Sequence, residues 1–241
     1  MTASVIPNPL ETHGYLLVNK PSGPTSYDII RWVKRNLKDV KIGHCGTLDP
    51  MASGLLILLF GRFTKKQSDI MGRDKVYRFT IRSGIKTDTG DMTGKIIEEK
   101  AVPELNESLI TQALNSFQGE IEQLPPIYSA LKVQGTPMYK LARQGKPVER
   151  TPRKIQIKKI EFLRIISVEE FEVRVLCSSG TYVRSLAEDI SVKLNTVGTL
   201  SALVRESIGP FELKEAIPGE ELKTISSQHL FLKLNSFLPK L

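Results

Sequence analysis

Apolar residues recur along this chain at three kinds of spacing, and each kind predicts an element. Leu55-Leu56-Ile57-Leu58-Leu59-Phe60 is an unbroken run of six. A run without alternation predicts a strand covered on both faces, at the centre of a sheet. Tyr15 to Val18 predicts an earlier strand, closed by Asn19-Lys20-Pro21-Ser22-Gly23-Pro24, which is turn chemistry. Lys75 to Ser83 alternates well enough for a strand through Val76, Tyr77, Phe79 and Ile81. Ile155 to Ile166 and Phe171 to Cys177 predict two more, joined as a hairpin through Ser167 to Glu170, and Leu200 to Arg205 a last short one.

Helical spacing appears elsewhere. Thr25 or Ser26 is placed to cap a helix whose Ile29, Ile30, Val33 and Leu37 share one face. Gly61 to Met71 reads as helical. A helix from Asn106 to Phe117 turns Leu109, Ile110, Ala113, Leu114 and Phe117 inward, and Ser178-Ser179-Gly180-Thr181 starts another carrying Leu186, Ile190 and Leu194. Lys86 to Gly94 is polar, glycine-bearing and looplike. Strands and helices without regular βαβ alternation predict an α+β fold with a mixed, mainly antiparallel sheet flanked by helices.

Composition changes between Pro125-Pro126 and Thr151-Pro152. Proline brackets, glycines, tyrosines and lysines there suggest an inserted arm rather than core. Charge concentrates in the same place. From Lys132 to Lys159 nine basic residues stand against Glu149 alone, a balance of +8 that equals the net charge of all 241 residues. That concentration favours a nucleic-acid surface over an ordinary solvated face. No apolar run approaches the ~18 residues a membrane-spanning helix needs, and residues 1–9 lack the pattern of a signal peptide. The two cysteines, Cys45 and Cys177, have no CxxC spacing, which argues against a disulfide framework or structural zinc and for a reducing cytoplasm. No glycine-rich phosphate loop argues for a nucleotide cofactor.

The chemistry-bearing stretch is Gly43-His44-Cys45-Gly46-Thr47-Leu48-Asp49-Pro50, directly before the apolar run. Glycines permit unusual backbone angles, and Pro50 pushes Asp49 toward an extended conformation. The expectation is a short loop that holds His44 and Asp49 on a rigid strand. With Ala52-Ser53-Gly54-Leu55-Leu56 the string resembles the catalytic motif of the TruB family of tRNA pseudouridine synthases. Four further segments resemble the family's motifs in order. They are Gly14 to Ser26 with Lys20-Pro21, Asp74 to Arg78 with Tyr77, Pro125 to Gly145 with Tyr128, Lys132 and Arg143, and Cys177 to Leu186 with Tyr182 and Arg184.

The resemblance implies a pseudouridine synthase fold with a basic thumb insertion at about 124–152. It implies isomerisation of uridine to pseudouridine at position 55 of the tRNA T loop, with no metal or other cofactor. Asp49 would be the nucleophile or base, Arg184 its pairing partner, and Tyr77 the ring on the target base. His44 would fill the space left by the flipped base. Tyr182 and Leu203 would line the pocket, Lys20 would lie near it, and Lys132 and Arg143 would hold RNA. The expected partner is tRNA, through its T stem-loop, with the protein a cytoplasmic monomer away from membranes. Residues 10–212 are expected to form the catalytic domain and 213–241 a short extension too small for the PUA domain of many relatives.

Cys45 departs from the family pattern and is expected to put a thiol in the pocket. Two rival readings differ in class. One is a non-catalytic tRNA-binding or tRNA-folding protein on the same scaffold. The other is a carboxylate-dependent hydrolase of a glycosidic bond, which needs a second acid that the motifs do not place beside Asp49.

Overall fold

The computed structural model describes residues 12–37, 39–129, 131–133, 135–145 and 147–235. In chain order the strands and helices are β1 (Gly14–Lys20), α1 (Ser26–Lys34), β2 (Ile42–Cys45), β3 (Ser53–Phe60), α2 (Gln67–Met71) and β4 (Lys75–Ser83). Then come β5 (Ile85–Thr87), β6 (Ile96–Glu99), α3 (Glu107–Asn115), β7 (Gly119–Gln123), β8 (Lys132–Val133), β9 (Thr136–Pro137) and α4 (Met138–Arg143). The chain ends with β10 (Arg153–Ser167), β11 (Glu170–Cys177), α5 (Val183–Lys193), β12 (Gly198–Ile208), β13 (Phe211–Glu212), β14 (Ile217–Pro218) and α6 (Ser227–Leu232). These elements form two compact units, the first comprising the chain to Val76 together with Val204 onward, the second Tyr77–Leu203.

The first unit is built on β3. All six residues of its apolar run are fully buried. Leu56, Leu58 and Phe60 pack with Ile29, Ile30 and Val33 of α1, whereas Leu55, Ile57 and Leu59 pack with Tyr15, Leu17, Cys45 and Ile70. Both faces are covered, as the unbroken run predicts, and each such side chain contributes ~1.5–3 kcal/mol. Strand β3 pairs antiparallel with β1 from Gly14↔Phe60 to Lys20↔Gly54, and with β2 from Ile42↔Phe60 to Cys45↔Ile57. It pairs parallel with the end of β12, Arg205 opposite Gly54. Helix α1 starts at a capping box. The Asp28 amide donates to the Thr25 hydroxyl at 3.1 Å, and the Thr25 amide to the Asp28 carboxylate at 2.8 Å.

Residues 213–235 are no appendage to this unit. Strand β14 pairs parallel with β1, and Leu222 and Leu230 are fully buried in the same core as Val18 and Val33. The Lys223 ammonium lies 4.5 Å from the Trp32 ring centre. Asn235 and Tyr15 exchange two main-chain hydrogen bonds of 3.0 Å.

In the second unit the strand order is β12-β4-β11-β10-β7. Phe79, Ile81, Ile157, Val173, Val175, Leu186 and Ile190 are buried. The arm consists of the two-residue strands β8 and β9, followed by α4. The pairings β10–β11, β7–β10, β1–β3 and β2–β3 are antiparallel, and β1–β14 and β3–β12 parallel, so the sheet pairing is mixed and mainly antiparallel.

The structure departs from the sequence expectations at several places. Strands β2, β5, β6 and β7 carry glycine, exposed or charged residues, and main-chain pairing rather than side-chain alternation makes them strands. Gly61–Lys66 is a 3-10 helix before the short α2. Helix α5 begins at Val183, because Gly180 takes φ +85° and Thr181 closes a turn onto the Ser178 carbonyl at 3.0 Å. Leu109 is exposed rather than inward, on the first turn of α3, where its amide donates to the Asn106 cap at 2.9 Å.

Because residue 222 belongs to the core, Leu222→Ala should cost about 2–5 kcal/mol of unfolding free energy in urea titration. Leu232→Ala, at a position 79% exposed, should cost under ~0.5 kcal/mol. Equal small effects at both positions would contradict an integral C-terminal segment.

Candidate active site

One group of site residues belongs to the first unit. Residues 46–52 join β2 to β3 and carry Asp49, whose side chain is half-buried. The Ser26 hydroxyl grips Leu48 from both directions, accepting from its amide at 2.9 Å and donating to its carbonyl at 3.1 Å. The Gly23 amide donates to the Pro50 carbonyl at 2.8 Å, and the Ser22 hydroxyl to that of Met51 at 2.9 Å. The turn Pro21–Pro24 thereby lies along the Asp49 loop and fixes it residue by residue.

Two buried cations complete the clamp. Lys20 is fully buried, and its Nζ donates to the carbonyls of Pro21 and Pro24 at 2.8 Å and of Pro50 at 3.3 Å. Arg205 is 1% exposed. It donates from Nη2 to the Gly46 carbonyl at 3.0 Å and from Nε to that of Leu55 at 2.8 Å, so it spans the loop from end to end. Two glycines make room for it. Gly46 has φ +76°, and a Cβ there would stand 3.2 Å from Arg205 Nη1. A Cβ on Gly54, at φ +102°, would fall 2.4 Å from the Arg205 carbonyl oxygen, so no other residue fits.

Neither Lys20 nor Arg205 has a carboxylate within 4.0 Å among the described residues. Burial is the main reason that the Lys20 amine is lowered from 10.5 to about 8, with the Asp49 carboxylate opposing that shift and Arg205 adding to it. His44 lies on β2, not in the loop as the glycines suggested, because residues 42–45 pair with β3. Its Nδ1 is buried without a hydrogen-bond partner. Burial, then Arg205, hold the imidazole below its ordinary pKa, so it is neutral at pH 7. Cys45 does not enter a pocket. Strand alternation turns it into the core with Leu17 and Ile57, and burial pushes its thiol up to about 12.

A second group belongs to the second unit. Tyr77 on β4 and Leu203 on β12 are 8% and 7% exposed. Tyr182 precedes α5, its amide donating to Gln123 Oε1 at 2.7 Å and its carbonyl accepting from Gln123 Nε2 at 3.0 Å. Arg184, on the first turn of α5, donates from Nη1 to the Thr89 carbonyl and from Nη2 to that of Tyr128, each at 2.8 Å. Its Nε stands 3.9 Å from Asp91 Oδ2, with both side chains less than a tenth exposed. Asp91 Oδ1 accepts from the hydroxyls of Thr89 and Thr93 and from the Thr93 amide. Lys132 is exposed on β8 and Lys140 on α4. Arg143 has its backbone in α4, but its side chain lies outside the described residues, as does Lys146.

Comparison with known proteins gives this geometry a family. Residues 34–183 match the TruB family pseudouridylate synthase (N terminal domain). The tRNA pseudouridine synthase B of Endomicrobium trichonymphae is 47% identical over 221 residues, covering 92% of this chain and 95% of that protein. That of Francisella tularensis subsp. tularensis (strain WY96-3418) is 44% identical over 220 residues, 91% of this chain and 72% of that protein. The chain belongs to the TruB family.

Among solved structures, a Cbf5-Nop10-Gar1 complex aligns with TM-score 0.67 and 29% identity, over 88% of this chain and 54% of that one. An H/ACA RNP bound to a substrate RNA containing 2'-deoxyuridine aligns with TM-score 0.63 and 26% identity, over 85% and 50%. The chain thus spans about half the length of those solved chains.

Four residues that hold these side chains and loops do not stand out in the sequence alone. Arg205 closes a strand otherwise read as apolar, and a cation inside such a run was the signal. Asp91 lay in a stretch read as loop, where Thr89-x-Asp91-x-Thr93 is the spacing of a carboxylate capped by its own neighbours. Ser26 and Gln123 act on main-chain atoms, which no side-chain pattern reports.

The Lys20 amine titrates near 8 folded and near 10.5 unfolded, so between those values the unfolded chain binds more protons. Stability therefore rises with pH in that window. In denaturant titrations the wild type should gain on Lys20→Met between pH 8 and pH 10. A pH-independent difference would contradict a charged, buried Lys20.

Proposed function

We propose that this TruB-family isomerase, which converts uridine to pseudouridine in tRNA, acts at position 55 of the T loop through Asp49. The observation that carries the reading is the immobilised Asp49 loop, fixed by Ser26, Lys20 and Arg205 in a field of positive charge. The reaction breaks the bond from N1 to the ribose, turns the uracil and rejoins it through C5. No electrons are gained or lost: C5 gives up its proton to a base as the new bond forms, N1 takes a proton up, and every heavy atom of the base stays. What the step needs is a nucleophile or base at the sugar–base junction, and a carboxylate serves because it can add and depart.

Arg184 pairs with Asp49 in this reading and keeps it ionised and aimed. A guanidinium already fixed by Thr89, Tyr128 and Asp91 loses little freedom in that task. The target base lies in a folded loop, so it is first flipped out, at a cost of a few kcal/mol. His44, neutral and with an unpartnered Nδ1, takes the vacated space. Tyr77 stacks on the flipped uracil, and Tyr182 and Leu203 line its pocket. Lys132, Lys140 and Arg143 of the arm hold phosphates. The family resemblance and the names of the relatives support these assignments.

Asp49→Asn keeps the shape of the side chain but is neither nucleophile nor base. With a T stem-loop RNA it should form no pseudouridine in a single-turnover assay, while RNA binding stays within about tenfold, or ~1.4 kcal/mol. Turnover above a trace would overturn the role of Asp49. Wild-type activity on a stem-loop whose uridine 55 is replaced by cytidine would overturn the position.

A further inference from the structure

Arg184 has a second carboxylate on its own helix. Glu188 lies one turn further along α5, and residues at this spacing share a face and can reach each other. The loop that carries Asp91 rests against both side chains. A Cβ on Gly90 would stand 2.8 Å from Glu188 Oε1 and 3.4 Å from Arg184 Cβ. Gly90 takes φ +75°, and its carbonyl accepts from the Leu200 amide at 3.1 Å. Arg184 and Glu188 nevertheless do not bond as a pair. Arg184 is directed to Thr89, Tyr128 and Asp91, and Glu188 Oε2 is bound by Lys86 Nζ of β5 at 3.8 Å.

The charged groups that face Glu188 are Lys86 from β5, Arg150 from the end of the arm, and Asp189 and Arg184 from α5. Burial first, then Asp189, hold its carboxyl above the usual range, while Lys86, Arg150 and Arg184 draw it down. Among the described residues Lys86 is the cation in direct contact with it. Without that cation, a half-buried anion would face Arg184 in competition with Asp91. At close range in a partly dry site, such a competition shifts the position of a guanidinium.

We propose that Lys86 is a positioning residue for the isomerisation. By binding Glu188 it keeps that carboxylate off Arg184, so that the guanidinium stays on Asp91, Thr89 and Tyr128. The inference rests on the part given to Arg184 above. Lys86 touches neither substrate nor reacting atoms and acts through Glu188. Gly90, at φ +75°, lets the loop that carries Asp91 approach Glu188 closely.

The test is the single-turnover rate of pseudouridine formation, with RNA affinity measured alongside. Lys86→Met should slow the step about tenfold with affinity unchanged, because Arg184 acts on the reaction rather than on RNA binding. Lys86→Met/Glu188→Gln should recover most of the lost rate, and Lys86→Arg, which keeps a cation, should regain it too. A double variant as slow as Lys86→Met would overturn the proposal. Lys86→Met at the wild-type rate beside a crippled Arg184→Lys would overturn it and leave the role of Arg184 standing. Arg184→Lys at the wild-type rate would overturn that role first. Should Lys86→Met not fold, Glu188→Ala/Lys86→Ala against Lys86→Ala reads the same recovery.

Discussion

Lys20 and Arg205 hold the Asp49 loop by donating to main-chain carbonyls, and much of the first unit is arranged to make that possible. A buried cation is costly unless hydrogen-bonded, and here the acceptors are the carbonyls of Pro21, Pro24, Pro50, Gly46 and Leu55. Among the described residues no carboxylate lies within 4.0 Å of either cation, so their positive potential is left for the loop that carries Asp49. The same potential favours the ionised form of a carboxylate and, in RNA, the phosphates around a flipped base. The buried run of β3 supplies the rigid support, and Gly54 admits Arg205 beside it. Stability and chemistry thus meet in one set of hydrogen bonds.

The second unit repeats the device with a carboxylate added to the carbonyls. There the buried cation is Arg184, and the residues around it are two backbone carbonyls and a carboxylate that two threonines hold in turn. Three side chains near the start of α5 also fix the root of the arm. Gln123 clasps Tyr182, the Ser185 hydroxyl donates to the Leu124 carbonyl, and Arg184 to that of Tyr128. The arm that is proposed to meet RNA is therefore rooted on the helix that carries the arginine, so a displacement of one is felt by the other.

What was legible in the sequence follows from which atoms do the work. The six-residue run announced a central strand because both faces of β3 are covered by apolar side chains. The motif around Asp49 announced the family because few strings satisfy so many constraints at once. Lys20 was not legible as buried. A lysine before a proline turn looks solvated, and only its three carbonyl partners explain its place. Arg205, Ser26 and Gln123 were missed for the same reason, since their partners are backbone atoms. His44 and Cys45 were read as loop because Gly43 and Gly46 flank them, whereas pairing with β3 makes them strand and sends the thiol into the core. Leu222 and Leu230 complete the core from isolated positions that form no run.

The central claim is that main-chain hydrogen bonds from buried cations place the carboxylate of Asp49, which is proposed to act on the substrate. The most direct measurement is the single-turnover rate of pseudouridine formation by Arg205→Met, with RNA affinity and thermal unfolding measured on the same protein. Loss of the Gly46 and Leu55 contacts leaves Asp49 chemically intact but misplaced, and a displacement of about 1 Å costs on the order of a hundredfold in rate. The account predicts a folded variant that binds RNA within about tenfold of wild type and reacts at least about a hundred times more slowly. A folded Arg205→Met enzyme that forms pseudouridine at the wild-type rate would contradict it.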